Sequence, residues 1–218
     1  MTEGGTPVSE TSTTTTDLTD EDSLRAVYGH PKGRAAQKAI PVLDPHCRRF
    51  IELSPFLVLG SAAKDGPADV SPKGDMPGFV RVLGPTQLAI PDRPGNKRID
   101  SLLNIVENPH VAVIFMIPGF QETLRVNGRA RVSVDPDLLD SMAVNGKPPV
   151  SAIVVDVDEA YLHCAKAFIR SRLWDPAVQQ DRKIMPPLSK IIADQLSQEI
   201  DVEAAEKQLE QNYRETLY

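Results

Sequence analysis

SPKGDMPGFVRVLGPTQLAIPDRPGNKRIDSLL, residues 71–103, contains two β-like runs, FVRVLG and QLAIPD, that feed a loop crowded with prolines, glycines and cations. Arg93, Lys97 and Arg98 fall with Asn96 inside six residues, and Pro94 with Gly95 bends the backbone so that several N–H groups can converge. The loop leads into IDSLLNIVENP, where Ile99, Leu102, Leu103 and Val106 recur at helical spacing until Asn108 and Pro109 end the helix. A helix N-terminus adds a favourable dipole for a dianion, so this stretch predicts a bound phosphate. The competing reading is a solvated loop whose charges cap the helix.

Working outward, the same punctuated pattern continues in both directions. FLVLGSAA and ADVSPKG precede the loop; VAVIFMI, ETLRVNGRARVSV and SAIVVDVDEAYLH follow it. Seven short strands separated by Gly, Pro and Asp turns predict a mainly β domain with flanking helices (α+β), closed into a barrel. KDG between the first two runs predicts a hairpin with a left-handed glycine. Thr19, followed by Asp22, predicts the cap of a helix EDSLRAVYG, and a second helix is expected from Asp44 to the Ser54-Pro55 step. SKIIADQLSQEI and VEAAEKQLEQNYRETL read as helices of a polar tail. The expected organisation is a disordered threonine-rich tail over 1–17, a domain over 18–175 with N-terminal helices, and a helical extension over 176–218.

Composition narrows the chemistry. Twenty-four Lys and Arg against 30 Asp and Glu leave a net charge of −6, which argues against nucleic acid as a partner and sets the basic loop apart. Two cysteines make no disulfide framework, and there is neither a membrane-spanning apolar run nor a signal-peptide pattern, so a cytoplasmic protein is expected. The four histidines are dispersed and predict no metal site. No nucleophile elbow, dinucleotide fingerprint or nucleotide-hydrolase phosphate loop is legible. The chemistry is therefore expected from a cofactor, with no catalytic side chain assigned.

SPKGD, PGFV, IPDRPGN, RIDSLLNI, IPG, ETLRVNG and HCAKAFIRSRLW together resemble the pyridoxamine 5′-phosphate oxidase-like flavoproteins, most nearly a bacterial branch of FMN-dependent enzymes, over roughly residues 20 to 175. That resemblance implies an FMN-binding split β-barrel that forms a homodimer with the flavin at the subunit interface. It implies that Ser71, Pro72 and Lys73 run beside the flavin ring, with Lys73 stabilising negative charge on reduced flavin. The alternative for Lys73 is a surface pair with Asp75. It further implies that Arg93, Asn96, Lys97 and Arg98 hold the phosphate, Arg93 and Arg98 by bidentate contacts. The oxidases proper carry Ser-Arg-Lys where this chain reads Gly95-Asn96-Lys97, so single side-chain roles differ.

Arg125 and Asn127 project with Arg129 from one face of their strand if no bulge intervenes, and resemble residues bordering the cofactor. Arg170 and Trp174 resemble groups reaching in from the second chain; a packed tryptophan anchor is the alternative, and His163, Lys166 and Arg170 would share a face if helical. The function implied is an FMN-dependent oxidoreductase passing hydride or electrons to a small-molecule acceptor. Its rivals are a deazaflavin-dependent reductase, a haem-degrading split barrel and a non-catalytic flavin-binding module.

Overall fold

A computed structural model describes residues 17–218, in two compact units that divide between Gln37 and Lys38. In the first, Asp20 opens helix α1 (Glu21–Tyr28) by accepting the Ser23 N–H at 2.8 Å. The cap is thus one residue beyond the expected Thr19: a carboxylate there both accepts the N–H and complements the helix dipole. A short α2 (Arg34–Gln37) follows, and neither helix buries a residue. The tail expected to be disordered lies outside the described residues except for Asp17.

The second unit opens on α3 (Pro45–Leu53). Asp44 accepts the Cys47 N–H at 2.8 Å, Pro45 occupies the first helical position, and Cys47, Phe50 and Ile51 face inward. The helix ends at Ser54 because Pro55 disfavours helical backbone in the residue before it. Ser54 is fully buried, and the carbonyls of Phe56 and Met116 each lie 2.7 Å from its hydroxyl.

Every expected run forms a strand: β1 (Phe56–Ala62), β2 (Ala68–Gly74), β3 (Arg81–Gly84), β4 (Gln87–Asp92), β5 (His110–Met116), β6 (Thr123–Ser133) and β7 (Ser151–His163). They make one antiparallel sheet in the order β2-β1-β5-β6-β7-β4-β3. Alternation sends Leu57 and Leu59, Val113 and Phe115, Leu124 and Val126 into one core. Residues 151–155 of β7 are buried on both faces. Ile153 and Val155 meet the main core, while Ala152 and Val154 join Ala89, Met142 and two leucines of α5 (Pro136–Ser141). The sequence reading did not mark α5: six residues are too few to show a helical period.

Between β2 and β4 in ladder order stand β1, β5, β6 and β7, yet Lys73 of β2 and Asp92 of β4 form an ion pair at 2.6 Å. Asp75 and Arg93, just beyond these strands, pair at 3.0 Å. The sheet is therefore rolled, and its seam is bridged by side chains instead of a backbone ladder: a split barrel with flanking helices.

Two glycines follow steric needs. Gly66 of the KDG turn is not left-handed as expected; a Cβ there would come within 2.8 Å of the Ala63 Cβ, so space selects glycine. At Gly128 the β6–β7 register shifts, and a Cβ would lie 2.1 Å from the Asp156 carbonyl oxygen.

Between β4 and β5, α4 (Asp100–Glu107) stands where expected but turns Ser101, Leu102 and Ile105 inward and leaves Ile99, Leu103 and Val106 exposed. Contact with β1, β2 and β6 selects between two overlapping stripes on a helix this short. After β7 come α6 (Lys166–Ser171), α7 (Leu188–Gln195) and α8 (Val202–Thr216). His163 ends β7, so it does not share a helix face with Lys166 and Arg170. No helix among the described residues is long and apolar enough to cross a membrane.

Candidate functional site

The barrel seam opens into a cleft of about 430 Å³ between β2 and the loop that joins β4 to α4. Ser71, Pro72, Lys73, Arg93, Asn96, Lys97 and Arg98 all line it, so seven candidates converge from two segments. Pro72 is tolerated because β2 is an edge strand. Four cations face three carboxylates, Asp69, Asp92 and Asp100, which leaves the lining one positive charge in excess.

That charge is unevenly available. Lys73 pairs with Asp92, not with Asp75, and both side chains of the pair are 18% exposed. Asp75 is engaged elsewhere: it accepts the Met76 N–H at 2.7 Å, the Arg93 Nε–H at 3.1 Å and the Tyr218 phenol at 2.6 Å. Burial pushes the Asp75 carboxyl up, but the Tyr218 hydroxyl, the Met76 N–H and Arg93 outweigh it and hold the group below the usual carboxylate range. The Tyr218 phenol is raised in turn, first by its bond to Asp75 and then by burial. Arg93 also donates to the Met142 carbonyl at 3.0 Å and lies 5.5 Å from the Tyr218 ring centre, with 15% of its side chain exposed. Its Nε and Nη2 are thus engaged inside the protein.

The other end of the loop is freer. Lys97 adopts a φ of +60° and makes no hydrogen bond or ion pair among the described residues. Arg98 is exposed and pairs with Asp100 at 2.8 Å, which raises its pKa, while its backbone N–H donates to the Asn96 side-chain Oδ1 at 3.0 Å. That bond leaves the Asn96 NH₂ available. The α4 N–H groups of Leu102 and Leu103 bond back to the Ile99 carbonyl, whereas those of Asp100 and Ser101 have no acceptor within the helix. Asn96, Lys97, Arg98 and the start of α4 thus form the anion-receptive end, and Lys73 with Asp92 the end at β2.

Four candidates lie elsewhere. Arg125 lines a separate apolar groove of about 370 Å³ with Val58, Val70, Ile114 and His163; Val70 borders both spaces. Arg125 and Lys38 place their cations 5.2 and 4.8 Å from the Tyr161 ring centre. Burial, then Lys38 and Arg125, lower the His163 pKa. Asn127 donates to Glu159 at 2.6 Å, and its side-chain Oδ1 is a buried acceptor without a partner among the described residues. Trp174 packs on Phe168 and donates its indole N–H to the Phe120 carbonyl at 2.6 Å, away from the cleft; Arg170 is exposed and lines neither space.

Sequence reasoning placed Asp69 and Asp92 within the cofactor-bordering segments 69–73 and 90–98 without a role of their own, and missed Tyr218. Asp92 adjoins Arg93 and was open to notice; Tyr218 lies 143 residues from Asp75 and carries no local signal.

Residues 43–164 match the protein family described as pyridoxamine 5′-phosphate oxidase, over half of the chain. The chain belongs to the pyridoxamine 5′-phosphate oxidase family. A family of oxidases is one of oxidoreductases, and this member's split barrel accords with that placement. Among solved structures it is similar to HupZ from Group A Streptococcus, with 12% identity, 52% of this chain and 88% of the other covered, and a TM-score of 0.43. It is also similar to General Stress Protein 26 from Bacillus anthracis, with 18% identity, coverage of 53% and 88%, and a TM-score of 0.40. The FAD binding protein from Mycobacterium smegmatis shows 14% identity, coverage of 57% and 97%, and a TM-score of 0.40. No curated protein matches the chain.

Proposed function

We propose that the cleft binds FMN and that the protein is an FMN-dependent oxidoreductase acting on a small molecule. The observation that carries this reading is one cleft of about 430 Å³, within the usual range for small-molecule sites, joining a basic loop at a helix start, with Lys97 unpaired among the described residues, to strand β2. The donor set fits a phosphate: Asn96, Lys97, Arg98 and the first N–H groups of α4 would hold it, by charge-assisted bonds and the helix dipole. Arg93 braces the loop instead of binding the ligand. Ser71 and Pro72 would flank the ring, and Lys73, fixed by Asp92, would set a positive charge at its edge.

When bound, FMN supplies hydride or electron transfer, while the protein supplies orientation, a partly dry cleft and compensating charge. The same reading includes a homodimer. The buried, unpartnered Asn127 oxygen and the apolar groove beside Arg125 support a second chain seated on this face of the sheet, where Arg125, Asn127 and the exposed Arg170 would complete the partner's site.

Purification followed by an absorption spectrum and mass identification of the released small molecule tests the cofactor. Flavin bands with released FMN are expected. Released deazaflavin or haem would move the protein to a rival cofactor, and a colourless protein that cannot be reconstituted with FMN would sink the reading. Bleaching of the flavin bands by a nicotinamide donor separates an oxidoreductase from a passive flavin carrier.

A further inference from the structure

A third space, of about 370 Å³ and distinct from the Arg125 groove, adjoins the cleft, sharing Lys73, Asp92 and Arg93 with it and extending to Gly74, Asp75 and Phe79. Two of these residues, Asp75 and Arg93, hold the side chain of Tyr218. The phenol donates to Asp75, the Arg93 guanidinium lies over the ring, and Lys147 donates to the Tyr218 carbonyl at 2.9 Å. Tyr218 is thus tied to the end of β2, the loop after β4 and the β6–β7 connection. With it in place the Asp75 side chain is only 3% exposed.

The segment leading to Tyr218 has little else to hold it. Helix α8 buries no residue, packs on α7 and is joined to it by the Ser189–Glu206 hydrogen bond. A helix with no buried residue belongs to the low end of local stability, so it can lift without unfolding the barrel. The seat would survive that motion, because Arg93, Asp75 and the Met142 carbonyl hold one another independently of Tyr218.

We infer that the seat of Tyr218, which meets the reactant-side cavity at Asp75 and Arg93, is a hydroxyaryl subsite beside it, filled in the closed state by the chain's own tyrosine, and that α8 is the strap that removes it. Asp75 accepts a hydroxyl and Arg93 covers a ring face, which together recognise a phenol. The subsite stands on these contacts alone; calling it reactant-side rests on the proposed FMN reading of the cleft.

Tyr218→Ala in the full chain, with Tyr218→Phe as the milder variant, tests it. Hydrogen exchange at 203–217 and protease nicking within α8 should accelerate about tenfold in Tyr218→Ala and less in Tyr218→Phe, as expected for loss of a hydrogen bond to a charged group. p-Cresol should bind Tyr218→Ala at least tenfold more tightly than the parent protein, and more tightly than toluene does. Unchanged exchange in both variants would overturn the strap; p-cresol binding that does not distinguish variant from parent, or phenol from toluene, would overturn the subsite. Both readouts work without flavin, so failure of FMN to bind would remove only the assignment of the cleft.

Discussion

Arg93 and Arg98 occupy one loop and have different roles. Arg93 is mostly buried against a carboxylate that is itself almost fully covered, so Arg93→Ala leaves the Asp75 charge without its cation and should destabilise the fold by up to about 3 kcal/mol, because the Met76 N–H and Tyr218 phenol remain, measured by denaturant titration. Arg98 is a solvated surface cation, and Arg98→Ala should leave stability nearly unchanged while weakening FMN binding in a fluorescence titration. Equal effects of the two substitutions on both quantities would contradict this division. Asp75 also predicts a pH dependence. Its folded pKa lies below its ordinary value of 3.8, so ionised Asp75 stabilises the fold above that value, and the contribution disappears as pH falls through the lower folded pKa. Asp75→Asn should lower Tm at pH ~7 and flatten its decline between about pH 5 and 2. Lys97 and Asn96 were legible as candidates, and both line the cleft, because a charge and a turn are local properties. The commitment of Arg93 was not, since its partners arrive from the residue after β2, the β6–β7 connection and the second residue after α8.

At the scale of elements, β6 and β7 carry the longest pairing in the sheet, and Gly128 sits where their register shifts. Gly128→Ala would drive a methyl group into the Asp156 carbonyl and should cost roughly 1–3 kcal/mol or more in denaturant unfolding. A neutral result would mean the bulge can relax. At the far end of β7, burial and the nearby Lys38 and Arg125 keep His163 below its ordinary value of 6.5. The unfolded chain takes that proton more readily, so stability should rise as pH increases through this range. An NMR titration of the His163 ring should show a midpoint below 6.5, and one at or above it would remove the effect. All seven strands were legible because alternation is a local pattern. Helix α5 escaped notice because it is too short for periodicity, and the buried face of α4 was decided by β1, β2 and β6, which no eight-residue pattern contains.

At the scale of the molecule, the rolled sheet gathers β2 and the β4–α4 loop into one cleft, and the apolar groove beside Arg125 supports a second chain. Light scattering should return about twice 23.9 kDa, and Arg125→Ala should weaken FMN binding although Arg125 does not line the cleft of its own chain. A monomeric mass with full FMN affinity would show that one chain makes the whole site. By itself the sequence determined the strands, the helix after the basic loop and the clustering of Asn96, Lys97 and Arg98, because period, turn chemistry and local charge are written within a few residues. Only the tertiary structure decided that Lys73 answers Asp92, that Arg93 is withdrawn to Asp75, and that Tyr218 settles on both. Those pairings depend on which edges meet when the sheet closes, a long-range event with no signature in any short segment.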